Sequence, residues 1–152
     1  MDISHEFSKK IKNKFPKTII VFGGPNYPTE TDTQKNFLLS YPAIDFYIKG
    51  EGELGFVNLL QSLKKFNFDA ENLKRNKLKI GNCHYVFNNE LFVGENLPRV
   101  EDLNDIPSPY LSGMLDKFFD KVLNPTIQTS RGCPFKCTFC QEGKDYFTKI
   151  HK

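Results

Sequence analysis

The amino-acid sequence predicts an α/β protein whose first half is a layered parallel sheet, and three observations carry that prediction. Two short apolar runs, at 18–22 and 45–48, alternate with helical patterns at 3–14, 29–41 and 53–66. Such alternation is the signature of βαβ units, whose crossovers are right-handed. The first run, Thr18-Ile19-Ile20-Val21-Phe22, is rich in β-branched residues and apolar after its first position, as suits a strand covered on both faces. Gly23-Gly24-Pro25 follows at once, a turn that lets the backbone approach a neighbour closely.

Each element has its own justification. Residues 3–14 place Ile3, Phe7 and Ile11 on one stripe between lysines and Glu6, an amphipathic helix that Pro16 ends. The pattern at 29–41 gathers Phe37, Leu38 and Tyr41, with Pro42 just beyond. Asp45-Phe46-Tyr47-Ile48 is the second strand, closed by Gly50-Glu51-Gly52-Glu53, and the helix at 53–66 carries Phe56, Leu59, Leu60 and Leu63 on one stripe. The texture changes after residue 67. Residues 83–87 and 90–93 are two strands around Asn88-Asn89, a pair that tolerates the left-handed backbone of a tight turn. Pro98, Pro107, Pro109 and Pro125 then mark a linker with one short helix at 112–122. Thr126-Ile127-Gln128-Thr129 is the last expected strand and runs straight into Ser130-Arg131-Gly132-Cys133.

Composition narrows the function classes. The 152 residues are 39% hydrophobic and 26% charged, the balance of a folded chain. Net charge is only +3, from 21 basic and 18 acidic side chains that are interspersed, so no nucleic-acid partner is expected. No apolar run approaches the roughly 20 residues of a membrane span, and no signal peptide is visible; the expected location is cytoplasmic. Four cysteines are present: Cys133, Cys137 and Cys140 lie within one short segment, while Cys83 stands alone. Clustered thiols in a reducing compartment point to a metal rather than to disulfides.

The clustered segment reads Thr129-Ser130-Arg131-Gly132-Cys133-Pro134-Phe135-Lys136-Cys137-Thr138-Phe139-Cys140, with cysteine spacing C-x-x-x-C-x-x-C. Thiolates bind both zinc and iron–sulfur clusters, so ligand type does not choose the metal. A structural zinc site takes four protein ligands, and only three lie close together here. The segment resembles the cluster loop of the radical S-adenosylmethionine (radical SAM) enzymes. That resemblance implies that Cys133, Cys137 and Cys140 hold three irons of a 4Fe–4S cluster and that S-adenosylmethionine chelates the fourth. It further implies reductive cleavage of S-adenosylmethionine to a 5′-deoxyadenosyl radical. Phe139 stands where that family places an aromatic near the adenine, and Gly132 and Pro134 shape the turn into the loop. The alternative is a structural zinc site completed by Cys83, His84 or His151.

Residues 18–66 are similar to the later part of the cobalamin-binding-type domain that precedes the barrel in many radical SAM enzymes. The matching motifs are Val21-Phe22-Gly23-Gly24-Pro25, Pro42-Ala43-Ile44-Asp45 and Gly50-Glu51-Gly52-Glu53, and the linker at 102–109 also matches. By this resemblance Gly23 and Gly24 lie beside the nucleotide tail of cobalamin; a purely structural βα turn would use the same glycines. The Asp-x-His-x-x-Gly motif is absent, so whether cobalamin is bound stays open. Glu51 and Glu53 suit the positive end of a helix better than paired acid–base work.

The expected organisation is a partial Rossmann-like, cobalamin-binding-type domain at 1–68, a hairpin and linker at 69–125, and at 126–152 the first strand and cluster loop of a radical SAM partial TIM barrel. Too few residues follow Arg131 for a whole barrel, so the chain is expected to be a fragment spanning the junction of the two domains. The expected partners are S-adenosylmethionine, a small-molecule substrate of unknown identity and an electron donor. The competing expectation is a non-catalytic module, stabilised by zinc or free of ligand.

Overall fold

In a computed structural model, which describes residues 2–120, 122–127 and 130–140, the chain divides into two compact units, Met1–Pro98 and Arg99–Lys152. The first unit holds a four-stranded sheet in the order β1 (Val21–Gly23), β2 (Phe46–Ile48), β3 (Cys83–Phe87), β4 (Glu90–Val93). β1 and β2 are parallel, joined by helix α2 (Thr31–Ser40), with Phe22 opposite Tyr47. The expected hairpin forms at its predicted bounds, with Asn88 at φ 48° and Asn89 at φ 60°, the twist that a two-residue turn between strands requires. It then pairs antiparallel with β2, Tyr47 facing His84 and Ile48 facing Cys83. The sheet is therefore mixed rather than purely parallel, an α/β arrangement compatible with a Rossmann-like fold.

Each face of the sheet has its own core. On one, Leu59 and Leu63 of α3 (Gly52–Lys65) and Leu73 of α4 (Ala70–Arg75) pack with Phe46, Ile48, Cys83, Tyr85 and Phe92. On the other, Leu38 of α2 packs with Tyr27, Ile44 and Tyr47. Helix α4 was not expected; Asp69 begins it by accepting a hydrogen bond from the Asn72 amide at 2.9 Å. α3 approaches the sheet closely at Gly55, where a Cβ would come within 2.9 Å of the Ile48 Cγ2 methyl and 3.0 Å of Asn82 Cβ.

Three expectations change. Helix α1 (Asp2–Lys14) forms, but it turns Ile3 and Phe7 to solvent and buries His5 and Ser8. Its docking is polar and aromatic: His5 meets Tyr41 edge-on at 4.8 Å, and Lys12 pairs with Asp45 at 2.6 Å. β1 lies at the end of the strand order and is half-buried, not covered on both faces. In α3 only Leu59 and Leu63 of the expected stripe are buried, while Phe56 and Leu60 are exposed.

Asp45 explains why a carboxylate opens β2. It accepts the Ile20 amide at 2.7 Å, pairs with Lys12, and lies 3.5 Å from the ammonium of Lys74, a buried lysine of α4. One side chain thus ties α1, β1, β2 and α4 together at the amino ends of the two parallel strands.

In the second unit the described residues of the expected helix at 112–122 form turns and a single 3-10 turn, Asp116–Phe118. Gly113 sits at φ +75°, outside helical backbone, and the Asp120 carboxylate accepts the Val122 and Leu123 amides in a local turn. Those hydrogen bonds hold the exposed Asp120 carboxyl below its usual range. Thr126 is tied at both its amide and its carbonyl to the Tyr110 hydroxyl, at 3.1 and 3.0 Å, and neither it nor Ile127 is in a strand. Gln128 and Thr129, the rest of the expected strand, and residues 141–152, including His151, lie outside the described residues. Among the described residues no helix is long and apolar enough to cross a membrane.

Candidate functional sites

Two places carry chemistry, one in each unit. In the first, a shallow, open apolar cleft of about 410 Å³ lies where β1 and β2 end and α3 begins, lined by Val21, Phe22, Gly23, Ile48, Glu53 and Phe56 among others. The carboxyl ends of parallel strands are where open α/β sheets receive ligands. Gly23 lines this cleft and Gly24 is the next residue of the chain, and each is glycine for a different reason. A Cβ on Gly23 would press to 3.3 Å from the Ile48 carbonyl oxygen, so the close approach of β1 to β2 excludes a side chain. Gly24 has φ +110°, is exposed, and has open space where a Cβ would stand. Exposed glycine backbone above an apolar cleft suits a nucleotide-like group, and the residues present fit the cobalamin tail in chemical kind.

Behind the rim lies a buried network that the sequence did not reveal. The Tyr47 hydroxyl donates to the Gly24 carbonyl at 3.0 Å. Tyr27 stacks on Tyr47, with ring centroids 4.0 Å apart and planes 14° from parallel, and its hydroxyl shares a 3.2 Å hydrogen bond with His84 Nδ1. Burial raises the pKa of both tyrosines. Burial, helped by the Lys49 charge, lowers His84 to about 4, so its imidazole is neutral at physiological pH. His84 Nε2 is buried without a hydrogen-bond partner. The register of β2 on β3, which brings His84 beside Tyr47, is a tertiary fact that no local motif encodes.

The second place is the cysteine loop. Gly132 takes φ +98°, and the Cys140 amide donates to the Cys137 carbonyl at 3.1 Å, closing a tight turn. All three cysteines are free; Cys133 is half-buried, Cys137 and Cys140 are exposed. Phe139 and Phe135 are also exposed. Three free thiols fit a 4Fe–4S cluster in donor type and number, yet no group of three or more His, Cys, Asp or Glu side chains is gathered for a metal among the described residues. Cys83 and His84 sit in the interior of the first unit, the thiol of Cys83 pushed by burial to about 12. Both behave as core residues, and neither is presented at a surface as a further ligand.

No protein-family model matches the chain. It is 30% identical over 151 residues to a cobalamin-dependent radical SAM methyltransferase of Streptomyces tokunonensis, covering 95% of this chain and 21% of that protein. It is 28% identical over 142 residues to a 2-(S-pantetheinyl)-carbapenam-3-carboxylate methyltransferase of Streptantibioticus cattleyicolor, covering 90% and 19%. An anaerobic magnesium-protoporphyrin IX monomethyl ester cyclase of Cereibacter sphaeroides is 23% identical over 145 residues, covering 93% and 22%. The chain spans about a fifth of the length of these curated relatives.

Proposed function

We propose, from a chain homologous over 90–95% of its length to cobalamin-dependent radical SAM methyltransferases and related enzymes, that it forms the junction between the cobalamin-type and radical domains of such an enzyme. The observation that supports this best is the coincidence of two features within one homologous stretch: Gly23-Gly24 at the mouth of an apolar cleft, and the spacing of Cys133, Cys137 and Cys140.

Under this proposal residues 1–68 belong to the cobalamin-type domain, 69–125 to the hairpin and linker, and 126–152 to the start of the radical SAM barrel. Cys133, Cys137 and Cys140 hold a 4Fe–4S cluster, and Phe139 covers the adenine of S-adenosylmethionine. When bound, cluster and S-adenosylmethionine together supply a carbon-centred radical that removes hydrogen from a substrate. This chain's own contribution is binding and orientation: three thiolates that would hold the cluster, and a glycine turn with no side chain in the way. Phe139 and Phe135, exposed here, are the apolar surface that a bound nucleoside would cover. An electron donor and a small-molecule substrate complete the system, and free thiols suit the reducing cytoplasm.

The relatives' names divide between methyl transfer and cyclisation. A stretch common to both supplies what the two reactions share, and the choice of substrate lies in other residues.

Anaerobic reconstitution with iron and sulfide tests the proposal. About four irons and four sulfides per chain, with a cluster signal by electron paramagnetic resonance after reduction, are expected. Stoichiometric zinc, with neither iron nor sulfide retained, would overturn it in favour of a non-catalytic module.

A further inference from the structure

The glycine turn at the cleft has a free backbone face and a clamped one. Gly24 offers no side chain, takes a backbone conformation open to few residues, and is exposed. Such a turn is soft by itself, because glycine loses more conformational freedom on ordering than any other residue. Its carbonyl nevertheless has a fixed partner: the hydroxyl of Tyr47, at 3.0 Å. Tyr47 is fully buried, lies in the central strand β2, and stands opposite both Phe22 and His84 in the sheet. Its ring has little room to move. Tyr27 stacks over it at 4.0 Å, Phe37 meets it edge-on at 5.9 Å, and Tyr27 is itself held by His84 Nδ1.

We propose that Tyr47 is a positioning residue for the ligand turn: its buried hydroxyl fixes the Gly24 carbonyl and so presents the backbone of Gly23 and Gly24 to the group bound beyond β1 and β2. Tyr27 and His84 act one step further back, by holding the Tyr47 ring in register. The inference rests on the proposal that Gly23 and Gly24 contact cobalamin, but the clamp itself can be judged without a ligand.

The variant Tyr47→Phe removes one oxygen and leaves the ring, its stack and the core volume in place, so the fold is expected to survive. Two measurements on the same chain then decide. Without ligand, backbone order parameters from ¹⁵N relaxation at Gly24 and Asn26 should fall from about 0.85, the rigid range, toward about 0.6 in the variant, while those in β3 and β4 stay unchanged. Titration with hydroxocobalamin, followed by absorbance, should show about tenfold weaker binding by the variant. Tyr27→Leu, which removes the stack but keeps the Tyr47 hydroxyl, should move both readouts in the same direction by less.

Unchanged order parameters at Gly24 and Asn26 in Tyr47→Phe would overturn the inference, as would lowered order parameters with unaltered cobalamin affinity. Should neither chain bind the corrinoid, the cobalamin assignment itself falls. The relaxation measurement then decides for or against the clamp.

Discussion

Replacing Asp45 should cost more stability than any other single change at a charged residue in the first unit. Its carboxylate accepts the Ile20 amide at 2.7 Å, pairs with Lys12 at 2.6 Å and lies 3.5 Å from Lys74. The side chains of Asp45 and Lys74 are only 12% and 8% exposed, so solvent screens their interaction weakly. In Asp45→Ala the Lys74 ammonium keeps the exposed Glu71, at 3.7 Å, and the face of the Phe46 ring, 5.3 Å from its centroid, while the Ile20 amide loses its acceptor. Removing one partner of a buried pair costs about 3–5 kcal/mol, and we expect a loss of about 4 kcal/mol. Asp45→Asn keeps an acceptor for Ile20 and should lose about 2 kcal/mol, the unmet amide accounting for the difference. Removing the stranded charge as well, in Asp45→Asn/Lys74→Met, should recover about half of that loss. Urea denaturation followed by circular dichroism at neutral pH measures all three. If Asp45→Asn lies within about 0.5 kcal/mol of the parent and Asp45→Ala is no worse, the carboxylate is a surface group and the reasoning fails.

Other outcomes follow from the same structure. His84 has a folded pKa of about 4 against 6.5 when unfolded, so the unfolded chain binds the extra proton as pH falls between those values. Stability from this group is whole above about pH 6.5 and lost by about pH 4, a change of at most about 3 kcal/mol; His84→Gln should flatten that part of the profile. An identical slope in the variant would place the acid sensitivity elsewhere. Alanine at Cys133, Cys137 or Cys140 should each abolish most iron retention after reconstitution, whereas Cys83→Ala should leave it intact; equal loss from Cys83 would make it a ligand. Gly94→Ala should unfold the hairpin, since a Cβ there collides with the Ile80 carbonyl, and a soluble variant with parental exchange rates in β4 would contradict this. The reconstituted 152-residue chain, spanning about a fifth of its relatives, should produce no repeated turnover of S-adenosylmethionine to 5′-deoxyadenosine; sustained product by chromatography would show that it needs nothing further.

Local chemistry was legible in the sequence, and long-range pairing was not. The hairpin at 83–93 could be read because its determinants are adjacent: two alternating strands and two asparagines that accept left-handed backbone. Its union with β2 could not, since the Tyr47–His84 register depends on surfaces brought together only by folding. Helix α1 shows the limit of periodicity. The stripe of Ile3 and Phe7 correctly marked a helix but named the wrong face, because His5 on Tyr41 and Lys12 on Asp45 decide the docking. The glycine pair was recognisable as a turn at a strand end, whereas Tyr47 looked like any strand aromatic until its hydroxyl was placed on Gly24. The helix expected at 112–122 failed on Gly113 and Asp120, whose turn preferences outweigh a short apolar pattern.

The mixed sheet also sets an order of assembly. β3 and β4 are joined by two residues, and a hairpin of this kind closes in about 1–10 μs. β1 reaches β2 only after α2 has crossed over the sheet, and it takes the place at the end of the strand order. Pairings of distant segments, β1 with β2 and β2 with β3, are slower than the hairpin, and an end strand with half-buried residues opens more readily than a central one. The Gly23-Gly24 turn thus hangs from an end strand that is held by the sheet on one side only. Occupancy of the cleft should therefore register as slower opening of β1, with β3 and β4 indifferent to it.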